Sequence, residues 1–284
     1  MINEATDILR GRHDLSEAQM QRCMEEIMSG NAQTPEIISF LTALSVKGET
    51  IGEITAAARI MRSYATKVTV AHPIILDTCG TGADQKGTFN ISTAVAFVAS
   101  GAGAVVAKHG NRSVSSACGS ADILEALGVC IQMSAVKVAE CLNRIGIAFL
   151  FAQNFHPAMK YAMPARKSIG KRTIFNLLGP LSNPAGANVQ LVGVFEERLT
   201  TVFAEVLGRL GSLHAVVVHS QDGLDEITTT ASTSVAEYNN GKVSCYEISA
   251  LDFGIAKAEI SDLQGKDPAV NARIMEEVLG GKKG

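Results

Sequence analysis

Three stretches of this chain carry residue types and spacings that could do chemistry. The first runs Asp77, Thr78, Cys79, Gly80, Thr81, Gly82, Ala83 and Asp84, then Gly87, Thr88, Phe89, Asn90, Ile91, Ser92 and Thr93, and leads into an apolar helical pattern. Glycines let backbone N–H groups crowd around an anion, and a helix N-terminus behind them adds partial positive charge. The stretch therefore fits a phosphate cradle. It is not a dinucleotide fingerprint, because Gln85 stands where the third glycine belongs, and it lacks the Gly-Lys-Ser/Thr of a P-loop. Taken alone, it fits a tight turn with Ser92 or Thr93 as helix N-cap equally well.

The second stretch is Lys108, His109, Gly110, Asn111, Arg112, Ser113, Val114, Ser115 and Ser116, followed by Cys118, Gly119, Ser120 and Asp122 ahead of a helical pattern at 123–127. A lysine, an arginine and several hydroxyls in one glycine-containing loop supply both charge and adjustable donors for phosphate oxygens. The third is the adjacent pair Asp225 and Glu226, just after Asp222 and Gly223. Neighbouring carboxylates repel unless a cation sits nearby, so the pair reads either as an exposed acidic turn or as a metal site. Arg166, between Ala165 and Lys167, could grip a planar carboxylate through two parallel hydrogen bonds, although an isolated arginine is more often solvated surface.

Taken together, these motifs resemble the anthranilate phosphoribosyltransferase family. The likeness rests on Gly80, Thr81 and Gly82 with Asn90 to Thr93, on Lys108 to Arg112, on Gly119, Ser120, Ala121 and Asp122, and on Phe155, His156 and Pro157. It extends through Arg166, the run from Asn176 to Pro184, and Asp225 with Glu226, and so covers most of the chain. The resemblance implies transfer of the phosphoribosyl group of phosphoribosyl pyrophosphate (PRPP) to the amine of anthranilate, giving N-(5-phosphoribosyl)anthranilate and pyrophosphate in tryptophan biosynthesis. It implies that Gly80, Ala83, Asp84, Thr88, Asn90, Ile91, Ser92, Thr93, Lys108, His109, Gly110, Asn111, Arg112, Ser113, Val114, Ser115, Ser116 and Ser120 embrace PRPP. Gly80, Asn111 and Arg166 would take anthranilate, the arginine at its carboxylate. Ser92, Asp225 and Glu226 would hold Mg2+, two ions per site with PRPP bound, which resolves the acidic pair in favour of the metal.

The family usually has a further glycine where this chain has Ala83, a departure expected either to stiffen the loop or to restrict backbone approach to the ligand slightly. The resemblance also implies a homodimer through the helical part of the chain. His109 and His156 are of the right type for acid–base work, but an aromatic amine is already neutral at pH 7. Catalysis is therefore expected from positioning and leaving-group electrostatics, with no obligatory base. Two other readings stand beside this one: a pyrimidine nucleoside phosphorylase, whose chemistry does not need Mg2+, and a nucleic-acid-binding module on the same fold, which would want a basic groove.

Composition narrows the field. The 284 residues are 46% hydrophobic with a formal net charge of -3, enough for one large core or two moderate ones, with no basic footprint for nucleic acid. A charge-free stretch at 87–107 contains Thr88, Asn90, Ser92 and Thr93, so it reads as a loop, a buried helix and a buried strand, and no membrane partner is expected. Cys23, Cys79, Cys118, Cys130, Cys141 and Cys245 show no zinc spacing, which suits a reducing cytoplasm; Cys79 and Cys118 fall inside the two ligand loops.

Apolar residues at three- and four-residue spacing over 8–66 predict helices, with starts at Ser16 and at Thr34 before Pro35 as first helical residue. Short apolar runs at 74–76, 105–108, 147–151, 189–195 and 215–219 then alternate with helical patterns, as in a mostly parallel sheet covered by helices. A helical piece at 173–178 ends at Gly179 and Pro180; an antiparallel pair turns at Asn239, Asn240 and Gly241, and a helix follows at 271–279. The expected fold is α/β: a small N-terminal all-helical domain and a larger α/β domain with a mostly parallel central sheet and a hinge between them. The expected division is 1–70, joined by 171–186, against 71–170 and 187–284. The family's chains continue past the equivalent of Gly284, so the α/β domain reads as truncated at the C-terminus, with apolar surface exposed there.

Overall fold

The computed structural model describes residues 1–82, 86–113 and 118–282. The chain opens with four helices, α1 (Ile2–Arg10), α2 (Glu17–Met28), α3 (Thr34–Lys47) and α4 (Ile51–Tyr64). Ser16 caps α2 by accepting from the Gln19 backbone N–H at 3.3 Å while the Gln19 side chain returns to the Ser16 N–H at 2.9 Å. Thr50 and Glu53 repeat the box at α4, and each such cap contributes about 1 kcal/mol. At α3 the cap position falls to Gln33, so Thr34 is the first helical residue and Pro35 the second, one place later than the sequence suggests. Proline's missing N–H costs nothing anywhere in a first turn, where that donor has no intrahelical partner. Met20, Met24, Ile27, Phe40, Leu41 and Leu44 fill the space between these helices. Glu53 is fully buried, but the Leu15 N–H (2.9 Å) and the Lys47 ammonium (2.8 Å) satisfy its carboxylate.

The α/β part follows: β1 (Leu76–Asp77), α5 (Ile91–Gly101), β2 (Val106–Gly110), α6 (Ser120–Ala126), α7 (Ala135–Ile145), β3 (Ile147–Phe151), α8 (Ala152–Phe155), α9 (Met159–Ile169), α10 (Phe175–Leu178), β4 (Val189–Gly193), α11 (Leu199–Arg209), β5 (His214–Ser220), β6 (Thr233–Asn239), β7 (Lys242–Ile248) and α12 (Pro268–Leu279). The sheet order is β3-β2-β1-β4-β5-β6-β7. The five strands from β3 to β5 are parallel, and β6 and β7 add antiparallel edges. Strand β1 is shorter than expected and starts two residues later, pairing only through Leu76 and Asp77. Proline at 73 and exposure of Ile74 keep the residues before it out of the ladder.

Because β2 lies on one side of β1 and β4 on the other, the strand order reverses at β1 and β4. Ligands in such sheets bind outside the carboxyl ends of the strands at that reversal. Helix α9 packs on α2 and α3, and α10 on α4, so the chain is already against the bundle at Met159, ahead of the expected joining stretch. One apolar cluster runs without a break from Met20 and Phe40 through Leu178 to Val192, Phe203 and Val217. Leu251, Phe253 and Ile255 are exposed. No helix among the described residues is long and apolar enough to cross a membrane.

Candidate functional site

Asp77, the last residue of β1, is fully buried and accepts from the His109 N–H at 3.1 Å and from Asn183 Nδ2 at 2.7 Å. The same Asn183 amide donates to Ala107 O at 2.8 Å. The ends of β1 and β2 and the stretch after α10 are thereby tied at one carboxylate. Burial pushes Asp77 up to about 6, against the opposing pull of Lys108 and these hydrogen bonds, so it is ionised at pH 7.

Beyond Asp77 the chain turns outward to meet α5. Asn90 caps that helix, its side-chain oxygen accepting from the Thr93 N–H at 3.1 Å; neither Ser92 nor Thr93 takes the cap. Ser92 Oγ is left to face Lys108, whose Nζ donates to it at 3.1 Å and to Thr78 Oγ1 and Thr78 O at 3.2 and 3.3 Å. Lys108 is buried, which pulls it below the usual lysine value, while Asp77 and Glu226 oppose that pull. The Lys108 Nζ is thus held under the N-terminus of α5.

The acidic pair reaches this cation through close backbone contact. Gly193 ends β4, and a Cβ there would lie 1.5 Å from Asp225 O. On Gly80 a Cβ would lie 3.0 Å from Gly193 O and 3.4 Å from Asp225 Oδ2. The Thr81 N–H donates to Gly193 O at 2.8 Å. Glycine turn, strand end and acidic loop are therefore stacked without side chains between them. Asp222 shapes that loop: its carboxylate accepts from Ser220 Oγ (2.5 Å), from the Leu224 N–H (3.3 Å) and from the Thr230 hydroxyl. The result is a small pocket of about 10 Å³ lined by Thr78, Gly80, Ser92, Val95, Leu191, Gly193, Asp225 and Glu226.

So Gly80, Ser92, Lys108, Asp225 and Glu226, far apart in sequence, converge. Thr88 and Asn90 lie on the loop entering α5, and Ile91 and Thr93 in its first turn. Gly110 ends β2 against Phe149 and Ser120, the first residue of α6. Asn111 is exposed and meets Gln153 at 3.4 Å. Arg112 is turned away from the pocket, paired with Asp122 (3.0 Å) and Glu125 (2.5 Å). The Ser113 N–H donates to Asp122 at 3.0 Å. Arg166 stands on α9 over the Phe175 ring, 5.5 Å from its centroid, outside the pocket lining. Ala83, Asp84, Val114, Ser115 and Ser116 lie outside the described residues.

His109 donates through Nδ1 to Gly179 O at 3.1 Å and lies 5.1 Å from the His156 ring. Burial, and then His156, hold His109 at about 3, and burial and then Lys67 hold His156 at about 4, so both are neutral at pH 7. Asp77, Cys79 and His109 offer ligand atoms within 4.8 Å of one another. Asp77 there is bound to Asn183 and His109 Nδ1 to Gly179 O, while His109 Nε2 is buried with no hydrogen-bond partner among the described residues and burial pushes the Cys79 thiol up. Oxygen donors for a hard cation come from Ser92, Asp225 and Glu226, and that donor set fits magnesium.

Thr78, Asn183, Gly193 and Asp222 serve the site without having been assigned to it from sequence. Gly193 alone left a local signal, as a glycine inside a predicted strand marks close backbone approach.

Residues 72–284 match a family model described as "Glycosyl transferase family, a/b domain", and residues 3–65 one described as "Glycosyl transferase family, helical bundle domain". The chain is 54% identical over 284 residues to an anthranilate phosphoribosyltransferase of Syntrophobacter fumaroxidans, covering 100% of this chain and 84% of that one. It is 52% identical to the enzyme of the same name from Alkaliphilus metalliredigens, with the same coverage. The crystal structure of the Thermus thermophilus enzyme superposes with a TM-score of 0.93 at 40% identity, covering 99% of this chain and 83% of that one. The Saccharomyces cerevisiae enzyme in complex with PRPP and Mg superposes with a TM-score of 0.90 at 29% identity, covering 99% and 82%. By sequence, by architecture and by the site its glycine turns assemble, the chain belongs to the anthranilate phosphoribosyltransferase family.

Proposed function

We propose that this chain transfers the phosphoribosyl group of PRPP to the amine of anthranilate, the reaction of its family in tryptophan biosynthesis. The observation that carries the reading is the meeting of Ser92, Asp225 and Glu226 around one pocket, with Lys108 Nζ 3.1 Å from Ser92 Oγ. A pyrophosphate brought there meets the buried Lys108 side chain, the N-terminus of α5 and three oxygen ligands for metal. In the step itself the C1–O bond of PRPP breaks, pyrophosphate leaves with the electron pair, and the amine nitrogen forms the new C1–N bond and then loses a proton to water.

Magnesium, which the yeast relative carries with PRPP, would be held by Ser92, Asp225 and Glu226 and would supply charge neutralisation of the leaving pyrophosphate; we assign two ions per site. Lys108 stays buried beside Ser92 and needs no solvent reorganisation as charge develops. His109, neutral and bound to Gly179, supports the loop and is no obligatory base. Gly80, Asn111 and Arg166 would take anthranilate, a relative in complex with 4-fluoroanthranilate having the same fold. The Arg166 guanidinium, partly desolvated beside the Phe175 ring, would bind a carboxylate once the two parts of the chain, 1–70 with 171–186 and the remainder, approach across the site.

The helical part offers the surface for a homodimer, and the free cysteines suit a reducing cytoplasm; sedimentation as a monomer would argue against the former.

Titration calorimetry of PRPP tests the site. Affinity should rise with Mg2+ in the native protein, and Asp225→Asn with Glu226→Gln should remove most of that rise, at least tenfold in Kd if each lost charge-assisted contact is worth ~1.5 kcal/mol or more. An unchanged Mg2+ dependence in the double variant would exclude the pair as ligands.

A further inference from the structure

The loop carrying Thr88 and Asn90 is held from outside by a segment far along the chain. The Phe89 N–H donates to Leu263 O at 2.8 Å, the Gly265 N–H donates to Gly87 O at 2.8 Å, and Thr88 pairs with Gln264 as an antiparallel bridge. The approach is flush: a Cβ on Gly265 would lie 2.7 Å from Phe89 Cα. Asp267 then caps α12, accepting from the Val270 N–H at 2.9 Å, and brings Asn271 round in the first turns of that helix.

Asn271 is 1% exposed, and its side-chain amide is fully used. Its Oδ1 accepts from the Asn90 N–H at 3.0 Å, and its Nδ2 donates to Lys266 O at 2.9 Å and Asp267 O at 3.1 Å. Behind it, Ala272 and Met275 sit in one apolar cluster with Ala94 of α5, Ala121 and Ile123 of α6, and Phe149 and Phe151 of β3. Helix α12 therefore packs against both helices that open at the ligand loops, and Asn271 is its polar reach into one of them. The Asn90 side chain already caps α5 through the Thr93 N–H. The Asn90 backbone N–H precedes the first helical turn, so Asn271 supplies a partner that the helix itself cannot.

We propose that Asn271 is a positioning residue for PRPP: by holding the Asn90 backbone it fixes where Thr88 and Asn90 present their donors, without touching substrate itself. This rests on the phosphoribosyl reading above. Loss of the contact would leave a half-buried N–H unpaired and let the loop swing at its entry to α5. The effect belongs to the PRPP side of the reaction, since Asn111 and Arg166 lie on other elements.

Asn271→Ala and Asn271→Asp separate this from simple helix support. Aspartate keeps an oxygen for the Asn90 N–H but gives up both donors to Lys266 and Asp267. Steady-state kinetics of Asn271→Ala should show KM for PRPP raised about tenfold, equivalent to about 1.4 kcal/mol, with KM for anthranilate changed less than about twofold and the Asn90 amide exchanging faster with solvent. Asn271→Asp should recover most of the PRPP affinity even where its Tm falls. Equal rises in both KM values, or two variants impaired alike in proportion to their Tm, would overturn the proposal and leave a structural role only. Native protein that shows no PRPP-dependent turnover would instead bring down the phosphoribosyl reading on which it rests.

Discussion

Gly193 carries its part of the site by having no side chain. Its Cβ position is occupied by the carbonyl oxygen of Asp225, at 1.5 Å, so Gly193→Ala must displace the acidic loop backbone. Overpacking against backbone costs about 1–3 kcal/mol, because no rotamer change relieves it. We expect the variant to fold with a lower Tm and to lose Mg2+-dependent PRPP affinity; unchanged calorimetric binding would show that the Asp225–Gly193 contact does not set the metal ligands. The role of this glycine was only half legible, since a glycine within the strand pattern announces a close neighbour but not which one. The N-cap of α5 shows the same limit. Asn90, Ser92 and Thr93 are all good caps within four positions, and propensity cannot choose among them. The choice of Asn90 frees Ser92 for Lys108, and only three-dimensional packing decides it.

At the scale of elements, the strands β2 to β5 were readable because short apolar runs between glycine turns are what a buried parallel strand requires. Their neighbours across the sheet, and the reversal at β1 and β4 that makes the pocket, follow from long-range pairing that no local pattern encodes. The stretch from α10 to Asn183, where Gly179 and Pro180 end the helical pattern, also supplies Gly179 to His109 and Asn183 to Asp77.

This packing has a consequence for acid stability. Burial holds His156 at about 4, below the ordinary histidine value of about 6.5. On acidification the unfolded chain takes up a proton that the folded chain refuses, so the contribution present above pH ~6.5 is lost as pH falls towards 4. Asp77, raised to about 6, acts in the opposite sense but is common to native protein and variant. The drop in Tm between pH 7 and pH 5 should therefore be smaller in His156→Leu than in the native protein; an equal drop would mean that His156 takes up its proton as readily folded as unfolded.

The whole molecule joins a helical bundle to a parallel sheet through one unbroken apolar cluster, while the ligand loops hang on the carboxyl ends of the strands. The core is thus shared, and the candidate site falls on turns whose geometry glycines permit and whose position distant segments enforce. The family was legible from motifs alone because glycine turns, the Lys108 to Arg112 loop and paired acids in that order have few other uses together. The placement of Arg112, folded back on Asp122 and Glu125, was not, because a loop arginine has both anionic ligands and neighbouring carboxylates open to it.

The chain spans about 84% of the length of the relatives it matches. The central claim is the reaction, and the direct measurement is the fluorescence of anthranilate mixed with the protein and PRPP, with and without Mg2+. A loss of anthranilate signal that needs protein, PRPP and Mg2+ together is the predicted result. A signal that persists with all three present, or that falls equally without Mg2+, would contradict the account.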